Sequence, residues 1–157
     1  MKRLLSRIAV AGLLVGMSAY SVAEGLQGAP APAGAKVFFV SPADGATVDK
    51  TFTVKFGIEG MELKPAGDVT PNTGHHHLLV DVDKAPAADT VLPIIMIPEN
   101  NQPLPAGPQV LHFGKAQTEA RITLAPGKHT LQLVLGDKAH VPFKPSVESK
   151  KITVTVK

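Results

Sequence analysis

The sequence predicts an all-β fold, an antiparallel sandwich of about seven strands, and three observations carry that reading. Short apolar stretches alternate with polar residues at the two-residue period of a half-buried strand. Proline and glycine, 14 of each in 157 residues, cluster between those stretches as turn signals. Beyond the N-terminus no stretch carries the 3.6-residue periodicity of an amphipathic helix. A chain of this pattern, ~120 residues from Lys36 onward, fits an immunoglobulin-like sandwich, with a small barrel as the competing architecture.

The elements follow in chain order. Lys2, Arg3 and Arg7 form a basic start, Ile8 to Met17 an apolar run, and Ser21-Val22-Ala23 a small-residue cleavage site. Residues 1–23 therefore read as a cleaved secretion signal, cut before Glu24, with the mature protein periplasmic or secreted. The apolar run is shorter than the ~20 residues of a membrane span, so no span is expected after cleavage. Residues 24–35 (EGLQGAPAPAGA) read as a flexible Pro/Gly/Ala leader. A single domain is expected over 36–157.

Within that domain Val37–Val40 is a first strand, ended by the turn residues Ser41-Pro42-Ala43-Asp44-Gly45. Phe52, Val54, Phe56 and Ile58 alternate with Thr51, Thr53, Lys55 and Gly57 in a second strand over 51–59. A third spans 75–83. The segment 84–108 contains six prolines, which excludes a central strand or regular helix there. Its apolar centre, Val91–Ile97, is an edge strand or a loop folded over the core. Strand character resumes at 109–113 and 117–124, turns at Ala125-Pro126-Gly127, and continues through 129–135 and 150–156.

Charge and cysteine content narrow the function classes. Loss of the signal removes three basic residues from 16 and no acid, leaving a formally neutral mature chain with 13 of each sign. That removes the electrostatic basis for binding nucleic acid or an anionic membrane. With no cysteine, there is neither a disulfide nor thiolate chemistry. Ser41, Ser146 and Ser149 stand in no nucleophile-elbow context, and no Gly-rich phosphate loop opens a helix. An enzyme is not expected.

Half of the six histidines stand in one triplet, His75-His76-His77, which opens the third strand. Side chains on a strand alternate in direction, so His75 and His77 share a face with Leu79, Asp81 and Asp83. His76 faces the core with Leu78 and Val80 and is expected to donate to a backbone carbonyl. In a sandwich, the connections after the second, fourth and sixth strands lie at one end. His75 and His77 begin the third strand at that end, His112 ends the fourth near it, and His140 lies in the connection after the sixth.

Two histidines on one strand plus others from neighbouring segments form a recurrent nitrogen site for zinc or copper. The predicted ligands are His75, His77, His112 and His140. Asp81 and Asp83 are candidates to orient the imidazoles, and Asp137 is an alternative ligand. Met61 and Met96 offer soft sulfur for monovalent copper, although isolated methionines usually fill cores. His129, at the opposite end, takes the place of a sandwich's corner tyrosine and is expected to make a structural hydrogen bond. Ring nitrogens within ~4–5 Å of one point would mark a metal site. Splayed rings bonded to backbone carbonyls would mark a structural cluster.

Three segments, Gly74–Asp81, His112–Glu119 and Gly127–Asp137, together resemble one bacterial family of exported proteins that is known as a domain of unknown function. The likeness covers about residues 37–157 and implies export and a β-rich fold without an activity. The family's corresponding loop is often richer in histidine than Lys138–Pro145, which holds only His140. Ser41–Val48 more loosely resembles periplasmic copper-resistance sandwiches. Those proteins commonly place a histidine at the mature N-terminus, where this chain would expose Glu24, so this likeness supports the fold and not the site.

The leading expectation is a periplasmic, non-catalytic sandwich that binds copper or zinc for storage, delivery or sensing. The alternative is a metal-free envelope module that uses the same loop end to hold a protein or glycan.

Overall fold

A computed structural model describes residues 26–95 and 102–157. The secretion signal and Met96 lie outside the described residues. Among the described residues there are nine strands: β1 (Lys36–Ser41), β2 (Thr47–Val48), β3 (Thr51–Glu59), β4 (Glu62–Leu63), β5 (Thr73–Val80), β6 (Gln109–His112), β7 (Glu119–Thr123), β8 (Gly127–Gly136) and β9 (Ile152–Val156). There is no helix among the described residues, and hence none long and apolar enough to cross a membrane. The predicted all-β sandwich is the fold.

One sheet has the order β1-β3-β7, and the other runs β2-β9-β8-β5-β4 with β6 also paired to β5. The seven long strands pair antiparallel, whereas the two-residue β2 and β4 pair parallel to β9 and β5. Alternation in the sequence becomes alternation in burial. Phe52, Val54 and Phe56 point inward from β3, and Ile152, Val154 and Val156 from β9. They meet Leu78, Val80, Leu131, Leu133 and Leu135 in one core between the sheets.

β5 departs from alternation, since all of its residues are buried on both faces. Its inner face (His76, Leu78, Val80) joins the main core. Its outer face is covered by the chain that follows it. Leu92 packs on Leu79 and Val134 in a second small cluster, and Ile95 bridges to Leu111 on β6. The proline-rich segment cannot supply a regular ladder. Its described residues up to Ile95 instead lie across the outer face of the sheet without regular pairing.

Two expectations need correction. The third strand ends at Val80, not Asp83, because Asp81 adopts a left-handed backbone conformation, φ 54°. The part of residues 24–35 that is described is also docked, where a flexible leader was expected. Gly28 N–H donates to Ala88 O at 2.8 Å, Ala31 N–H to Lys144 O at 3.0 Å, and Lys144 N–H to Ala29 O at 2.9 Å. Ala29, Ala31 and Ala35 pack against the main core. Small side chains let that backbone approach closely, and a Cβ on Gly28 would fall 1.8 Å from Pro142 O.

Candidate metal centre

Strand register brings the four predicted histidines together. His75 and His77 stand two apart on β5 and so share its outer face. His77 pairs directly with His112 across the β5–β6 ladder, which sets their Cβ atoms ~5 Å apart on the same side. His140 arrives from the β8–β9 connection, beginning one residue past Gly136, itself the cross-strand partner of His75. A tight turn directs it: His140 N–H donates to Asp137 O, and Asp137 N–H to Val141 O, both at 2.9 Å. His140 sits at φ 63° in that turn. Its carbonyl accepts Leu92 N–H at 2.7 Å, which ties the turn to the covering segment.

The ring centroids form a compact tetrad. His75 lies 4.8, 5.0 and 4.9 Å from His77, His112 and His140. The remaining pairs are 5.2 Å for His77–His112, 6.0 Å for His77–His140 and 4.8 Å for His112–His140. One nitrogen each from His75, His77 and His112 lies within 4.8 Å of the others. A tetrahedral ion with ~2.1 Å bonds holds its nitrogens ~3.4 Å apart, so each ring needs to shift by less than about 1 Å to close on one. His140 Nε2 and His112 Nε2 share a hydrogen bond at 3.2 Å, one donating and the other accepting.

Burial sets the protonation of the cluster. His75 and His77 are 1% and 0% exposed, and His112 is also buried. Desolvation, then the neighbouring imidazoles, push the His75 pKa down to about 3 and that of His77 to about 2. His112 shifts down for the same two reasons. All three are therefore neutral at pH ~7, the form that ligates a metal. Their ring nitrogens are also unspent: His75 Nε2, both nitrogens of His77 and His112 Nδ1 have no hydrogen-bond partner. Among the described residues no backbone carbonyl is hydrogen-bonded to these rings. Buried nitrogens without partners cost ~1–3 kcal/mol each, a cost that an ion bound by them would relieve. The buried His75/His77/His112 group could hold a metal ion.

The expected supporting carboxylates serve elsewhere. Asp81, turned away by the end of β5, accepts Thr130 N–H at 2.9 Å and holds His129 Nδ1 at 2.7 Å. His129 Nε2 donates to Ala125 O at 2.9 Å, so this residue makes the structural contact expected of it. Burial opposes protonation of His129, but the hydrogen bonds to Asp81 and Ala125 and the Asp81 charge outweigh it and raise the pKa. Asp83 lends only its backbone carbonyl, to Lys151 Nζ at 2.7 Å.

Asp137 clamps the turn that carries His140. Its Oδ1 accepts Ala139 N–H at 2.8 Å and Val141 N–H at 3.0 Å, and its Oδ2 accepts Ala29 N–H at 3.2 Å. Met61 packs against the main core.

His76 corrects a further expectation. It points inward as predicted, 5.1 Å from the Phe56 ring, but neither of its nitrogens has a hydrogen-bond partner. Burial alone lowers its pKa to about 4. Leucine matches its volume without the polar atoms, so His76→Leu is expected to raise stability by about 1–2 kcal/mol at neutral pH. Denaturant midpoints of the two proteins measure this, and a loss of stability would show that the ring has a bonded partner in solution.

Three residues that sequence reasoning passed over also shape the centre. A Cβ on Gly136 would lie 2.6 Å from His77 Cε1, and one on Gly114 2.2 Å from His112 Cε1. Both imidazoles thus occupy space left by a missing side chain. Leu92 roofs the outer face. The only local signal was glycine close to histidine, in His112-Phe113-Gly114 and Gly136-Asp137-Lys138-Ala139-His140.

The family described as Domain of unknown function (DUF4399) matches residues 54–157, from β3 to the end of β9. The chain belongs to that family. The match includes all four histidines of the tetrad, the Asp137 clamp and the covering segment. No curated protein and no solved structure matches the chain.

Proposed function

We propose that this protein is a non-catalytic periplasmic or secreted sandwich that binds one copper or zinc ion through His75, His77, His112 and His140. The observation that carries the reading is the group of neutral, buried imidazoles of His75, His77 and His112, which bring one nitrogen each within 4.8 Å of the others and leave buried ring nitrogens without a hydrogen-bond partner. Four nitrogen ligands fill a tetrahedral shell, whereas catalytic zinc sites keep a position open for water or substrate. Leu92 covers the outer face beside these rings, against Leu79 and Val134. Both features favour storage, delivery or sensing of the ion over chemistry performed on it. The N-terminal pattern of basic start, apolar run and small-residue cleavage site supports export.

A metal-free module that captures another envelope protein is the second reading. Val91, Ile94 and Ile95 favour it, because these side chains on the covering segment are exposed at 48%, 57% and 40%. One experiment separates the two. Purified protein titrated with Cu(II) or Zn(II) at neutral pH is expected to bind one ion, and His75→Ala/His77→Ala to lose it. Losing two of four ligands should cost at least ~100-fold in affinity. Equal metal content in the wild type and the double variant, or none in either, would remove the metal reading.

A further inference from the structure

The inference concerns the charge of the ion and rests on the metal-binding reading above. We infer that the centre is built for monovalent copper, Cu(I), and not for a divalent cation. All four ligands are imidazoles, and neutral imidazole brings no charge to the ion. Among the described residues one acidic side chain, Asp137, acts electrostatically on a buried ring of the tetrad, His75; it follows Gly136, the cross-strand partner of His75, and its carbonyl accepts His140 N–H. That carboxylate is held in place, since its two oxygens accept the backbone N–H groups of Ala29, Ala139 and Val141. It is a fixed single negative charge beside the tetrad.

One monovalent cation balances that charge, whereas a divalent cation leaves one positive charge over. The surplus would sit where Leu79, Leu92 and Val134 form the packing and where His77 is 0% exposed. The cost of burying an ion grows with the square of its charge, so a divalent ion meets about four times the desolvation penalty of a monovalent one. Zinc sites commonly offset that penalty with thiolate, carboxylate or bound hydroxide. Here the chain has no cysteine, and the nearby carboxylate is already engaged. Imidazole suits copper without demanding a divalent state. The charge balance therefore decides the preference, and not ligand softness.

The test compares three ions on the purified protein. Cu(I), kept reduced by ascorbate without oxygen, is titrated in competition with a chromophoric Cu(I) chelator. Cu(II) and Zn(II) are titrated separately against chelators of known affinity. The expected result is one Cu(I) per chain, held at least ~10-fold more tightly than Cu(II) and more tightly still than Zn(II). Tighter binding of either divalent ion would overturn this inference while leaving the metal reading intact, and no binding of any ion would overturn both.

A charge-adding variant tests the cause. His140 is the least buried of the four and lies in a connection, so His140→Asp is compatible with the fold. It is expected to narrow or reverse the Cu(I) preference by strengthening the divalent ions relative to Cu(I). An unchanged ratio would overturn the charge argument, and if the variant does not fold the three-ion comparison on wild type still decides.

Discussion

Moving the metal-free protein from pH ~7 to pH ~5 is expected to remove about 6 kcal/mol of stability, enough to unfold a domain of ordinary stability near pH 5. The cause is three histidines held neutral in the fold. Burial lowers the His75, His76 and His77 pKa values to about 3, about 4 and about 2, with mutual repulsion adding to the effect at His75 and His77. In the unfolded chain each titrates near ~6.5. Below that pH the unfolded state binds three protons that the folded state does not, so stability falls as pH falls. Each group contributes ~1.4 kcal/mol per pH unit, about 4 kcal/mol per unit together, until the folded values are reached.

The size of this effect at pH ~5 depends little on the particular folded values, since all three lie below that pH. His112 adds to the effect with the same sign. His129 opposes it. Its raised folded pKa contributes stability that is fully present below the unfolded value and is lost as pH rises through the folded value. One partly exposed group does not offset four. Denaturant unfolding followed by circular dichroism across this pH range measures the slope. A flat profile from pH ~7 to pH ~5 would sink the account of buried neutral histidines. With the ion bound, unfolding should begin at the same end but also report metal release, because protons and metal compete for the same nitrogens.

The fold was legible because burial and period coincide. In Thr51–Glu59 the residues at even positions are large and apolar and those at odd positions are mostly polar, which is the burial pattern β3 shows. The convergence of four histidines was legible for a different reason. Strand count and antiparallel succession decide which connections share an end, and the tetrad follows from topology without any knowledge of side-chain packing. β2 and β4, at two residues each, are too short to carry a period.

Burial of the tetrad was not legible. Nothing in the local pattern of β5 says that a segment about fifteen residues later will lie across its outer face, so His75 and His77 read as outward-facing when they are enclosed. The role of Asp81 was lost for a local reason. A single residue at positive φ ends the strand, and the face assignment that alternation gave to Asp81 and Asp83 ends with it. His76 shows the limit of a general rule: buried polar atoms usually find partners, and its nitrogens do not.

Gly136→Ala is expected to be the most damaging single methyl group that can be added to the centre. The new Cβ would fall 2.6 Å from His77 Cε1 and 3.0 Å from His77 Nδ1, well inside contact distance. His77 has nowhere to retreat. It is 0% exposed, with His75 and His112 rings at 4.8 and 5.2 Å and β8 beneath it. Gly136 cannot yield either, because it is paired to His75 in the ladder and bridged to Pro142 at the start of the His140-bearing turn. Overpacking of this kind costs about 1–3 kcal/mol in a rigid core. Displacing one ring and its register partner at once should lower metal affinity about 10–100-fold.

Gly114→Ala separates positioning from packing. Its Cβ would crowd His112 even more closely, at 2.2 Å from Cε1. But His112 stands at the end of β6 beside the half-buried His140, so its ring can rotate toward solvent. That variant should lose metal affinity with less than about 1 kcal/mol of stability. Thermal melts of the metal-free proteins and metal titrations on the same preparations give both quantities. If Gly136→Ala binds metal as tightly as the wild type, the space left by the missing side chain does not hold His77 in place, and the geometric account of the centre fails at its most enclosed ligand.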